Sequence, residues 1–196
     1  SYYGDMNKTE RGINFWADGF QDAESCVNYF ESHDEQRVIF EARTNGLSTA
    51  AAHQKAHLAA RVLLTTSGVP MFYMGAEMGM DTERTIDYNR LRWNYLDSPE
   101  KMPILETYKN MIWFRNNYPA LRSNNINVVY KSTPQKSIVF QRTLDGEAGV
   151  LVAMNFSTSD QTMDLEFPWA GTWYEFTRDD TLQIETNWFG SYTLPS

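Results

Sequence analysis

The stretch Asn28–Arg37, NYFESHDEQR, runs apolar residues into three carboxylates (Glu31, Asp34, Glu35), one imidazole (His33) and one guanidinium (Arg37). Carboxylates beside an imidazole are the groups that accept hydrogen bonds, stabilise positive charge and exchange protons. The same composition also makes a solvated turn, with Arg37 weakly paired to one acid. Position is what favours chemistry. Parallel β/α folds build their active sites at the C-terminal ends of the strands. Glu31-Ser32-His33-Asp34 follows the apolar run Cys26–Phe30, and Gly75-Ala76-Glu77 follows Val69–Met74 in the same way. Other clusters carry less. His53 and His57 have metal-ligand spacing on a helix, but no glutamate follows His53 and no third ligand is evident. No metal site is therefore assigned. Asp179-Asp180 reads as an acidic turn. Trp169, Trp173 and Trp188 suit either a sugar-stacking platform or, more commonly, the core of a sandwich. The chain has no phosphate loop, dinucleotide fingerprint or nucleophile elbow.

The elements needed to position these groups follow from hydrophobic pattern and turn residues. Cys26–Phe30 suits a short buried strand. After the charged stretch, RTNGLS marks a turn, and Ser48 and Thr49 can cap the helix that follows. Ala50–Thr66 is rich in alanine and leucine, with Ala56, Ala59, Ala60 and Leu63 on one helical face; Ser67-Gly68 ends it. Val69–Met74 is a second short strand, with proline near its start. A charged loop leads from Gly75 to about Pro103. Ile104, Tyr108, Met111 and Ile112 then mark a second helix, ending near NNYPAL. Strand, helix, strand, helix is the pattern of parallel β/α units. From residue 123 onwards, short alternating segments such as SIVFQRT, AGVLVAMNF and TWYEFT, split by turns such as Asp145-Gly146, predict an antiparallel β-sandwich. The expected division is 1–122, the C-terminal portion of a (β/α)8 catalytic barrel, and 123–196, the sandwich.

The 196 residues carry a formal net charge of -8, with 42% hydrophobic and 14% aromatic residues. This is the composition of a globular chain. Its acidity argues against nucleic acid as the main partner and against an anionic membrane surface. A neutral polar ligand such as a sugar fits better. Cys26 is the only cysteine, so no internal disulfide exists and the compartment is not indicated. No apolar run approaches the roughly 20 residues of a membrane helix. The start, SYYGDMNKTERG, is polar, without a signal-peptide pattern and without an evident cap or strand. That is the start expected of a chain beginning inside something larger.

The motifs resemble those of the α-amylase family, glycoside hydrolase family 13. VNYFESHDEQR resembles that family's motif at the end of the seventh barrel strand, and SGVPMFYMGAEMGM its eighth-strand motif. LRWNYLDSPE and LETYKNMIWFRNNYPALRS are similar to its last loop and last barrel helix, and the segment from FPWAGTWYEF to the C-terminus is similar to its all-β domain C. The resemblance extends over the chain from Val27. It implies that Asp34 is the third catalytic carboxylate, a stabiliser of the oxocarbenium-like transition state, and that His33 hydrogen-bonds the same sugar. Glu31 and Ser32 stand where many amylases have aspartate and asparagine. Glu77 would brace the eighth-strand loop or touch substrate less directly. Arg37 is added as a substrate contact without a matching motif position.

The resemblance further implies a retaining enzyme that hydrolyses α-1,4-glucosidic bonds of starch- or glycogen-like glucans. Its alternatives are a glucan-branching enzyme or another transglycosidase of the same family, since the ESHD form also occurs there. A rival of another class is a non-catalytic glucan-binding or structural sandwich module. Retention needs a nucleophile and an acid/base carboxylate about 5–5.5 Å apart, which the family places on its fourth and fifth strands. Only 26 residues precede Val27, too few for those strands. The chain is therefore expected to be a C-terminal fragment, inactive alone, whose partner is the missing N-terminal part of the barrel. No cofactor is expected in it, and any calcium ligands lie upstream. Two β/α units leave strand edges unpaired, an invitation to self-association.

Overall fold

The computed structural model describes residues 4–186 and 188–195, without the side chains of Trp188 and Phe189. It resolves into two compact units. Asp22–Asn117 form one; Ser1–Gln21 and Tyr118–Ser196 together form the other. The second break lies five residues before the boundary drawn from the sequence. The grouping of the N-terminal segment with the C-terminal residues was not legible in the sequence pattern.

In the α/β unit, β1 (Val27–Asn28) pairs in parallel with β2 (Val69–Pro70), with Val27 opposite Val69. Between them run α2 (Val38–Thr44) and α3 (Thr49–Thr65), and α4 (Met102–Asn117) follows β2. Apart from the added short helix α2, this is the strand–helix–strand–helix order of a barrel fragment. The strands differ from the expectation of buried strands. Val27 is 55% exposed and Val69 46%; the sheet they belong to has only these two strands among the described residues. Helix α3 starts where the cap predicts: Ser48 Oγ accepts the N–H of Ala51. It buries Ala52, Ala56, Ala60 and Leu63, the alanine face that lets α2 and α4 pack close. Helix α4 buries Ile104, Tyr108, Met111 and Phe114, whereas Ile112 points partly to solvent. Gly68, at φ +96°, stops α3 and lies against β1; a Cβ there would sit 2.8 Å from the Cys26 carbonyl oxygen.

The other unit begins with α1 (Met6–Ile13), whose N-terminus is capped by Asp5 accepting the N–H of Asn7. The cap corrects the expectation of an uncapped start. Met6, Ile13 and Phe15 are buried, and α1 contacts β3 (Ile126–Ser132) and β4 (Ser137–Arg142). The sheet β3-β4-β5, with β5 spanning Val150–Asn155, is antiparallel, and every residue of its central strand β4 is buried. Two antiparallel pairs complete the unit: β6 (Gln161–Glu166) with β9 (Trp188–Leu194), and β7 (Gly171–Glu175) with β8 (Asp180–Ile184). Val139, Met163, Leu165, Phe167, Ile184 and Leu194 form its core, with Leu151 and Trp173 packed on it. Burying each such aliphatic side chain is worth about 1.5–3 kcal/mol.

Candidate active site

The residues after β1 do not form a loose charged loop. Glu31 and Ser32 turn inward and are buried, Arg37 has 0% exposure, and His33, Asp34 and Glu35 face solvent. Local hydrogen bonding explains the split. Ser32 Oγ accepts the N–H groups of Asp34 (3.0 Å) and Glu35 (3.2 Å), folding the chain back on itself. Arg37 is the N-cap residue of α2 but gives no side-chain cap. Glu31 takes that part: its Oε2 accepts the N–H of Val38 at 2.8 Å. A helix N-terminus with free N–H groups favours such a carboxylate.

Charge is arranged in two layers. Below, Glu31 Oε1 lies 3.6 Å from Arg37 Nη1. That nitrogen also donates to the Met74 carbonyl at 3.0 Å, and the guanidinium sits 4.8 Å from the Tyr73 ring centroid. Burial pushes the Glu31 carboxyl above the ordinary carboxylate range; the Val38 N–H and Arg37 pull it down, and Glu77 adds an upward push. Tyr108, reaching in from α4, is held well above the usual phenol range, by burial first and then by Glu31 and Glu77. Above, His33 Nε2 and Asp34 Oδ2 stand 3.1 Å apart with both side chains open to solvent. The outer layer thus offers a carboxylate and an imidazole to a polar ligand. The inner layer offers neither Glu31 nor Arg37 to solvent. Glu77 Oε2 accepts the N–H of Gly75 at 3.0 Å, bracing the turn that follows β2.

Several residues that sequence patterns do not single out take part. Arg84 donates from its backbone to Gln36 Oε1 at 2.9 Å, Gln36 Nε2 donates back to the Arg84 carbonyl at 3.2 Å, and Arg84 Nη2 donates to the Asp34 carbonyl. The charged loop after β2 is thereby fastened to the His33–Asp34 loop. Contacts between positions so far apart in the chain leave no mark on local periodicity. Tyr73, Met74 and Tyr108 were legible only as apolar positions of their elements.

The remaining candidates lie apart from this cluster in role. His57 Nδ1 is 2.8 Å from Thr107 Oγ1 and links α3 to α4. Among the described residues no three His, Cys, Asp or Glu side chains come together as a metal site. Trp173 stacks edge-on against Phe167, donates Nε1–H to the Trp169 carbonyl at 3.1 Å and joins the core, while the Trp169 ring is 44% exposed. The Trp188 side chain lies outside the described residues. Asp179 accepts from the Tyr174 hydroxyl in the β7–β8 turn. No helix among the described residues is long and apolar enough to cross a membrane.

Residues 3–102 match the family described as alpha amylase, catalytic domain, and residues 128–192 match alpha amylase, C-terminal all-beta domain. Neopullulanase 2 of Thermoactinomyces vulgaris is 27% identical over 158 residues, which cover 79% of this chain and 25% of the relative. Alpha-amylase MalA of Haloarcula japonica is 26% identical over 160 residues, covering 79% and 21%. The chain spans about a quarter of the length of these curated relatives. Among solved structures, a debranching enzyme of Nostoc punctiforme is 26% identical with a TM-score of 0.61, covering 87% of this chain and 33% of that one. An Anoxybacillus alpha-amylase shares the fold with a TM-score of 0.72 at 17% identity, covering 86% and 35%.

Proposed function

Because this chain belongs to the α-amylase family of glycoside hydrolases, we propose that it is part of a retaining enzyme that hydrolyses α-1,4-glucosidic bonds in starch- or glycogen-like glucans. The observation that carries this reading is the exposed His33–Asp34 pair, 3.1 Å apart, at the C-terminal end of β1. In this reading Asp34 accepts hydrogen bonds from hydroxyls of the sugar at the cleavage point. As positive charge builds on the ring, those bonds and the carboxylate's charge strengthen together, which is preferential binding of the transition state. His33 donates to the same sugar and orients it. The nucleophile and the general acid/base belong to the part of the barrel outside these 196 residues, so the chain alone gives no turnover. That part of the barrel is the partner the α/β unit needs.

The test is a contrast between neighbours in the full-length enzyme. Asp34→Asn keeps the shape of the side chain and removes its charge, so kcat on a maltooligosaccharide is expected to fall by several orders of magnitude, at about 1.36 kcal/mol per factor of ten. Glu35→Gln, at an exposed position one residue on, is expected to leave kcat within about twofold. Equal and small effects at both positions overturn the reading. Amylose treated with the unaltered enzyme is expected to shorten without gaining α-1,6 linkages.

A further inference from the structure

Two buried charges close the base of the exposed loop. Glu31 is 5% exposed and Arg37 0%, and they flank the five residues Ser32–Gln36. The Glu31 carboxylate holds the far end of the loop twice, through the Val38 N–H at 2.8 Å and through Arg37 Nη1 at 3.6 Å. Arg37 in turn fastens that end to the segment after β2, through the Met74 carbonyl at 3.0 Å and the Tyr73 ring. We propose that Glu31 and Arg37 are positioning residues, a buried clasp that fixes the height and orientation of the His33–Asp34 pair, and that neither touches the sugar. The proposal rests on the reading of Asp34 as a transition-state carboxylate.

Stability alone is a poor reason for this arrangement. A buried ion pair is often no more stabilising than apolar residues of the same volume, whereas removing one partner strands a charge. The pair here is also not optimised as an ion pair. It is long, it is not bidentate, and Arg37 Nε and Nη2 make no hydrogen bond among the described residues. Its contacts are instead directional and reach three places: the start of the loop, the start of α2 and the segment after β2. That is what a support must do. A catalytic carboxylate has to be held to within about 0.5 Å of its working position by neighbours that are themselves locked. Asp34 has no buried side-chain contact of its own to do this, being 75% exposed.

The experiment uses the full-length enzyme with a maltooligosaccharide substrate, and the 196-residue chain for hydrogen exchange. Glu31→Gln and Arg37→Met are each expected to lower kcat at least about tenfold with KM changed less than about threefold. The double variant strands no charge. It is expected to regain the melting temperature lost by the single variants but not kcat, a split that a purely structural role does not produce. Arg37→Lys keeps a charge that can meet Glu31 but lacks the planar guanidinium that lies over the Tyr73 ring, so partial rescue of kcat is expected. In the 196-residue chain, the Asp34, Glu35 and Val38 amides are expected to exchange at least about tenfold faster in Glu31→Gln, while those of α4 are unchanged. A double variant with the kcat of the unaltered enzyme overturns the clasp, as does an Arg37→Met that raises KM alone, or unchanged exchange in the loop. Asp34→Asn is the control that separates the two claims. If it retains full kcat, the reading of Asp34 falls. If it is inactive while Glu31→Gln and Arg37→Met are fully active, only the clasp falls.

Discussion

His57 illustrates how the fold sets a side chain's titration. Its Nδ1 lies 2.8 Å from Thr107 Oγ1, which also lies 3.1 Å from the Pro103 carbonyl oxygen. Burial first, then the charge of Arg61 and neighbouring His53, hold the imidazole below its ordinary value. His53 is lowered as well, by burial and then by Lys101. The unfolded chain therefore binds protons that the folded chain does not, and stability falls as the pH drops below about 6.5 towards the folded value. His57→Gln keeps a hydrogen-bonding group for Thr107 and removes the titration. It is expected to flatten the fall of the melting temperature between about pH 7 and about pH 5, with little change at higher pH. An unaltered slope in thermal melts across that range would show that His57 is not the group responsible. Surroundings also separate Glu31 from Asp34, three residues on in the chain. One faces a helix N-terminus in the interior and the other faces water, and only the fold assigns those surroundings.

At the scale of elements, α3 needs a partner for its last carbonyls. An α-helix leaves four such groups unsatisfied, and here the sequence offers no basic residue in the last turn. Arg115 supplies the donors from α4. Its Nη1 reaches the Leu64 and Thr66 carbonyls at 3.1 and 3.0 Å, and its Nη2 reaches Gly68 at 2.7 Å. One guanidinium thus ends α3, shapes the turn into β2 and ties α4 to both. Arg115→Met fills the space but abandons buried carbonyls. Charged hydrogen bonds are worth about 1.5–3 kcal/mol each and are not additive, so a loss of about 3 kcal/mol is expected. Denaturant unfolding measures it, and a loss below about 0.5 kcal/mol, the range of an ordinary surface change, would mean that the carbonyls find other partners. Element boundaries were readable where caps or glycines mark them, as at Ser48 and Gly68. Helix α2 was not readable: seven residues, VIFEART, are too few to show a period, and its cap comes from Glu31 rather than from an adjacent residue.

At the scale of the molecule, the unexpected feature is the discontinuous unit. The N-terminal segment lies within the match to the catalytic-domain family, yet it clusters with Tyr118–Ser196. Its ties are specific. The Met6 N–H donates to Thr133 Oγ1 at 3.1 Å, Lys131 Nζ reaches Glu10 Oε2 at 2.5 Å, and Ile13 is 4% exposed. Ile13→Ala removes buried methyl groups at a cost of about 2–5 kcal/mol. The loss of protection is expected in β3 and β4 and not in α3 or α4, as read by residue-resolved hydrogen exchange. Protection lost chiefly in α3 and α4 would overturn the grouping of α1 with the sheet.

Read alone, the sequence determined the class of each half, the main helices and the loop that carries His33 and Asp34. Those features rest on short-range rules: hydrophobic period, caps, turn glycines and a contiguous motif. Tertiary structure decided what contiguous sequence does not encode. It placed Glu31 and Arg37 inside and His33 and Asp34 outside, because a single carboxylate must satisfy both a helix N-terminus and a guanidinium. It brought Arg84 to Asp34 and Arg115 to the end of α3 across about 50 residues of chain. It also joined α1 to the C-terminal sheet, since buried apolar surface seeks whatever apolar surface the fold leaves open, whatever the distance along the chain.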